Sequence, residues 1–179
     1  MHDAQSLQAL LTTLSAYFQG EKAEALVFIL PLGLLSLVFA GWLFTDGQSG
    51  FTRGLVIPFL LMGLLMTTVG SVVGYRTPAQ EQKLLTELKT DPTQAISTEI
   101  VRMEKVNKAW PVYLVVWAAF GVVGLALRFL MRGDFAQGLG VALVFFAGVA
   151  LLIDGFAERR ARPYTEMLES VQASGHQPP

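Results

Sequence analysis

The stretch "FAQGLGVALVFFAGVALLIDGFAERRARPY" occupies residues 135–164. From Phe135 to Phe156 its only charge is Asp154, and Glu158, Arg159, Arg160 and Arg162 follow at once. About 20 helical residues at 1.5 Å rise cover the hydrocarbon core of a bilayer, roughly 30 Å. Backbone groups in lipid must be satisfied within their own segment, so a lone run of this kind is a helix. The stretch therefore reads as a membrane span with a charged exit.

Three further runs have the same character, and the four spans lie at 25–45, 54–74, 110–131 and 135–156. The connections "TDGQSG" (45–50) and "RGD" (132–134) are short, which predicts two antiparallel helical hairpins. Composition agrees. Of 179 residues, 53% are hydrophobic and 15% charged, against roughly 25% charged in soluble domains. Mean hydropathy is +0.49. The expected fold is an all-α integral membrane protein built as a four-helix bundle. Its parts are an amphipathic segment (1–24), a first hairpin (25–74), a helical loop (75–109), a second hairpin (110–156), and a C-terminal helix with a disordered tail (157–179).

Charge and residue types exclude several functions. A net charge of −1 argues against a nucleic-acid partner, which needs a basic excess. Without Cys there are no disulfides, thiolate metal sites or Cys nucleophiles. His2 and His176 lie in the two tails, which argues against a His-based metal centre or triad. HExxH, GxSxG, P-loop and GxGxxG contexts are missing. No cofactor or metal is expected, and the reading is non-enzymatic. An intramembrane hydrolase or transferase built on Asp154, Glu158 and Tyr164 is the enzymatic alternative. The N-terminal 24 residues hold Lys22 against Asp3, Glu21 and Glu24. They lack the basic start of a signal peptide, so the first apolar run is expected to be retained.

Basic residues set the orientation. Four spans put Lys22, Arg76, Lys83, Lys89, Arg102, Lys105, Lys108, Arg159, Arg160 and Arg162 on one side, and only Arg53, Arg128 and Arg132 on the other. The richer side is expected to be cytoplasmic, with both termini there, in a bacterial inner membrane.

Outside the spans, Leu7, Leu10, Leu11, Leu14, Tyr17 and Phe18 form one helical stripe, with Gly20 as its stop. The stripe fits either a helix lying on the inner membrane surface or one packed on the protein's own loop. "RTPAQ" (76–80) reads as a helix start, with Thr77 as N-cap, Pro78 first in the helix and Gln80 closing a capping box. "TDPTQ" (90–94) repeats the logic with Asp91. Ile96, Ile100, Met103 and Val106 then form an apolar stripe, with Glu99–Arg102 and Glu104–Lys108 as surface pairs. Glu99, Arg102, Met103 and Lys105 form the candidate cytoplasmic docking surface; a solvated amphipathic helix is the plainer account.

"FTRGLVIPF" (51–59) and "FAQGLGVAL" (135–143) share Phe-x-x-Gly-Leu, 84 positions apart. At that offset Arg76 matches Arg160, Leu84 matches Leu168, and Gly70 and Gly74 match Asp154 and Glu158. Such spacing suggests a parallel repeat with its axis along the membrane normal.

The acids carry the sharpest site hypothesis. Asp154 inside a span is costly, though less so near an end. Arg76, at similar depth, is the expected partner, and Glu158 pairs with Arg162 at i+4. Asp154, Glu158, Arg76, Arg160 and Arg162 are thus a proton- or cation-sensitive site, a polar lock between hairpins, or a plain helix-end salt bridge. Arg128 and Arg132 either snorkel or offer an outward anion or partner contact. Thr67, Thr68 and Ser71 read as packing glue, Pro58 as a kink, and Pro163 as an interruption of the last helix. Trp42 and Trp110 fit aromatic belts, and Trp117 faces lipid or packs within the bundle.

"YRTPAQ" (75–80) and "EIVRMEKV" (99–106) resemble stretches in four-span inner-membrane proteins of Gram-negative bacteria. The resemblance implies a link to immunity against membrane-targeting toxins. The expected function is contact with another protein in the membrane: a toxin, another membrane protein or a second copy of the chain. An oligomeric transporter or channel subunit with a polar site near Asp154 is the alternative.

Overall fold

The computed structural model describes residues 4–47 and 49–175, almost wholly as helix. Helix α1 spans Ala4–Glu24, a π-helical turn covers Ala25–Ile29, and α2 spans Leu30–Asp46. Helices α3 (Gly50–Thr90), α4 (Pro92–Leu130) and α5 (Asp134–Gly175) complete the chain. His2, His176 and the expected C-terminal tail lie outside the described residues.

Four helical rods result, each long and apolar enough to cross a membrane. α2 packs along α3, α4 packs along α5, and α3 against α5 joins the two pairs. α3 alone has 41 residues, or about 60 Å, twice the thickness of a bilayer core. The surplus length gathers at one end, hereafter the polar end. There α1, the end of α3, the start of α4 and the end of α5 close around Leu10, Leu14, Phe18, Leu84, Leu88, Ile96, Met103, Tyr164 and Leu168.

This placement follows from solvent. Burying large side chains is favourable where water is the alternative, so the bulky core forms where the helices carry charge. Along the apolar stretches, close packing of small residues takes over. A Cβ on Gly54 would collide with the carbonyl oxygen of Phe135, and a Cβ on Gly138 with that of Phe51. The two Phe-x-x-Gly-Leu motifs therefore sit face to face in a reciprocal contact. A second equivalence holds at the same offset: Leu37 meets Gly63, and Gly121 meets Ala147. Reciprocity of this kind is what a pseudo-twofold axis between α3 and α5 produces.

The structure departs from the sequence reading in three places. First, α1 does not stop at Gly20 but continues through the π-turn into α2. Its stripe packs inside the protein: Leu10, Leu14, Tyr17 and Phe18 are buried. Second, α3 passes through Thr77 and Pro78 without a break, and the Thr77 hydroxyl donates to the Val73 carbonyl at 2.7 Å rather than capping a new helix. Third, α5 passes through Pro163. An interior proline costs about 3 kcal/mol. Here Leu84 and Leu88 beyond Pro78, and Tyr164, Leu168 and Val171 beyond Pro163, bury in the core and hold each helix in line. The start at Asp91 is as expected, since its Oδ1 accepts from the Gln94 N–H at 3.0 Å.

The π-turn has a local cause. Pro31 lacks an N–H, and its ring crowds the carbonyl four residues back, at Val27. The widened turn relieves this, and the Leu30 N–H reaches Ala25 O, five residues away.

Candidate functional site

One face of α1 organises the polar end. Arg76 Nη2 of α3 lies 3.6 Å from Glu21 Oε1, and the Thr77 hydroxyl lies 3.3 Å from Glu21 Oε2. One turn on, Arg160 Nη2 of α5 donates to Glu24 Oε2. Gly20 makes room for it: a Cβ there would lie 2.5 Å from Arg160 Cδ. The Arg160 Nε is buried and has no hydrogen-bond partner.

Arg76 and Asp154 are therefore not paired. Glu21 holds Arg76, and Asp154 Oδ2 instead accepts from the indole Nε1 of Trp117 at 2.7 Å. No cation pairs with Asp154 among the described residues, so this contact joins α4 to α5 through one neutral donor. Glu158 pairs with Arg162 as expected, at an exposed position. Tyr164 lies ten residues beyond Asp154 on α5, about 15 Å along the axis. Asp154, Glu158 and Tyr164 thus do not converge on one point.

Tyr164 serves a different group. Its hydroxyl donates to Glu99 Oε1 at 2.8 Å, and Arg102 clamps the same carboxylate through Nε at 2.8 Å and Nη2 at 2.7 Å. Tyr17 stacks on Tyr164 with centroids 4.6 Å apart, and the Arg102 guanidinium sits 5.8 Å from the Tyr17 centroid. Burial, then the Glu99 charge and hydrogen bond, push the Tyr164 hydroxyl above its usual range. Burial and Glu21 do the same for Tyr17. For Arg102 burial opposes the charged form, but the Glu99 hydrogen bonds and charge outweigh it and raise its basicity. Breaking one member of a buried ion pair costs about 3–5 kcal/mol, because the other is left uncompensated.

This cluster corrects the expected docking surface. Glu99 is 6% exposed and Met103 0%, so both are core residues, and Arg102 is turned to Glu99. Lys105 is exposed. On the apolar side, the buried Thr67 hydroxyl, read as packing glue, has no partner. Thr68 and Ser71 are exposed. At the far end the Arg128 guanidinium lies 5.5 Å from the Phe129 centroid, and Arg132 is exposed. Neither forms an ion pair among the described residues.

A groove of about 760 Å³ runs between the α1–α2 rod and α5. Val27, Phe28 and Leu35 line one side, Val149, Leu152 and Phe156 the other, and Glu24, Arg159 and Arg160 close its polar end. The π-turn supplies Val27 and Phe28, and such turns often mark functional sites. Among the described residues no group of three or more His, Cys, Asp or Glu could hold a metal.

The sequence reading missed Glu21 and Glu24 as partners. Their spacing of i, i+3 just before an apolar run, facing two arginines 84 positions apart, was the signal available. No family model, curated protein or solved structure matches the chain.

Proposed function

We propose that the chain is a multi-pass bacterial inner-membrane protein, both termini cytoplasmic, that acts by contact with another membrane-active protein rather than by catalysis. The excess of Lys and Arg at the polar end supports that orientation. One observation carries the contact reading. α4 packs mainly on α5, its apolar stretch is the least buried of the four, and Val112, Leu114, Val115, Val122 and Val123 are exposed along it. A span held on one side offers a long face to a partner helix. Glu21–Arg76, Glu24–Arg160 and Glu99–Arg102 at the polar end are meanwhile internal pairs that stiffen the bundle carrying it.

The resemblance in "YRTPAQ" and "EIVRMEKV" makes the partner a membrane-targeting toxin and the role immunity. A photo-crosslinker at Val115 in intact cells tests the contact, and competition tests the role. A deletion strain is expected to lose survival beside a toxin-delivering neighbour and regain it on re-expression. Crosslinks to the delivered toxin are expected only in the re-expressing strain. Unchanged survival overturns the immunity role, and crosslinks to lipid alone overturn the contact face. The transporter reading separates by size, since it needs an oligomer and a strict monomer in nanodiscs removes it.

A further inference from the structure

The geometry points to a site for one anionic phospholipid in the groove between the α1–α2 rod and α5, acyl chain along the groove and phosphate at Arg159. The inference rests on the membrane placement proposed above and not on the immunity role.

Length is the first argument. From Val149 to Arg160 the α5 wall covers eleven residue steps, about 16 Å. One leaflet of a bilayer core is half of roughly 30 Å. The groove is therefore one leaflet deep, and its charged end falls at headgroup level on the side richer in Lys and Arg. Its volume of about 760 Å³ lies within the roughly 300–1,000 Å³ usual for small-ligand sites.

Charge is the second. Glu24 is taken by Arg160, so that pair is neutral. Arg159 lines the same end and forms no ion pair or hydrogen bond among the described residues, which leaves one uncompensated positive charge at the mouth. Basic pockets between spans at the cytoplasmic side are where anionic headgroups bind. The buried, unpartnered Nε of Arg160 marks the same end as short of acceptors.

Shape is the third. Val27 and Phe28 of the π-turn form part of one wall, and at the polar end Arg160 lies across Gly20. Walls of exposed aliphatic and aromatic side chains suit a flexible chain better than a polar substrate.

The test uses the purified full chain with two lipids of identical acyl chains, phosphatidylglycerol and phosphatidylcholine, read by native mass spectrometry after detergent exchange. Wild-type protein is expected to retain phosphatidylglycerol in preference. Arg159→Gln is expected to cut that preference about fivefold, the equivalent of about 1 kcal/mol for one basic residue near an anionic surface. Ala23→Trp, which fills the groove, is expected to abolish retention of both lipids. Arg53→Gln, an exposed basic residue at the opposite end, is expected to change nothing. Thermal melts select variants that remain folded, and Ala23→Phe replaces the Trp variant if that one does not fold. Equal retention of the two lipids by wild type, or full retention by a folded groove-filled variant, overturns the site. Release of the chain from membranes by alkaline carbonate would instead sink the membrane placement, a separate outcome. A groove that holds a co-purifying peptide rather than lipid also overturns the proposal.

Discussion

Arg76 and Arg160 lie 84 positions apart in the chain, on different helices, and both reach back to one face of α1. Arg76 meets Glu21 and Arg160 meets Glu24. Their equivalence under the internal repeat becomes a physical function. α1 ties the end of α3 to the end of α5, so the two halves are held at the polar end as well as at the Gly54–Gly138 crossing.

The two pairs should differ in strength. Arg76 is 49% exposed at its side chain, where an ion pair contributes about 0–1 kcal/mol. Arg160 is seated on Gly20 and more buried. Arg160→Gln is therefore expected to destabilise the fold clearly more than Arg76→Gln in SDS-titration unfolding. Equal losses would mean that the Arg160–Glu24 contact is no tighter than its sister.

The glycine crossing gives a sharper contrast. Gly54→Ala and Gly138→Ala each drive a methyl group into a backbone carbonyl of the facing helix. Each is expected to lower the melting temperature strongly or prevent folding. Gly41 and Gly148 have open space around them, so Ala there is expected to be neutral or to stabilise by up to about 1 kcal/mol. Matching melts for the two sets would remove the crossing as a packing determinant.

Trp117 and Asp154 can be separated by chemistry. Asn at 154 keeps a carbonyl oxygen for the indole N–H, whereas Phe at 117 removes the donor. Trp117→Phe is expected to cost more than Asp154→Asn. The cycle between Trp117→Phe and Asp154→Leu should show coupling of about 0.6–1.7 kcal/mol, the range for hydrogen bonds between membrane helices. Zero coupling would show that the contact is not made in the bilayer.

Tyr164→Phe removes a donor to a buried carboxylate and is expected to cost about 1.5–3 kcal/mol. Its pH dependence follows from the raised hydroxyl. Folded Tyr164 and Tyr17 keep their protons above the ordinary value of 10.0, while the unfolded chain loses them there. The unfolded state then binds fewer protons, so stability is full below about pH 10 and falls above it. The slope is up to about 1.4 kcal/mol per pH unit for each tyrosine. Denaturant midpoints between pH 8 and 11.5 measure it, and Tyr164→Phe should remove one tyrosine's share. A flat profile would mean these hydroxyls are not buried as described.

Much of the architecture was legible in the sequence, and the reason is periodicity and length. Apolar runs of about 20 residues, the Asp91 cap and the 84-residue spacing are local or translational signals. The site was far less legible. Whether Arg76 faces Asp154 or Glu21 depends on how each rod is rotated about its axis, and no single segment encodes that. Pro78 and Pro163 misled for a related reason: they carry a strong local preference that burial of Leu84, Leu88, Tyr164 and Leu168 overrides. Gly20 reads as a stop in isolation but is a seat for a side chain 140 positions away.

The π-turn at Ala25–Ile29 has a geometric consequence for the whole first rod. Each α-helical residue advances the helix by about 100°, so the extra residue resets the angular phase between α1 and α2. It lets one uninterrupted rod present Glu21 and Glu24 to two arginines at one end and fit the glycines of α3 at the other. Were Ala25–Ile29 a regular α-helical turn with the same residues, α1 would be rotated by about 100° and both glutamates would point away from Arg76 and Arg160. The turn works as a vernier, setting two contact faces in register along a shaft that never breaks.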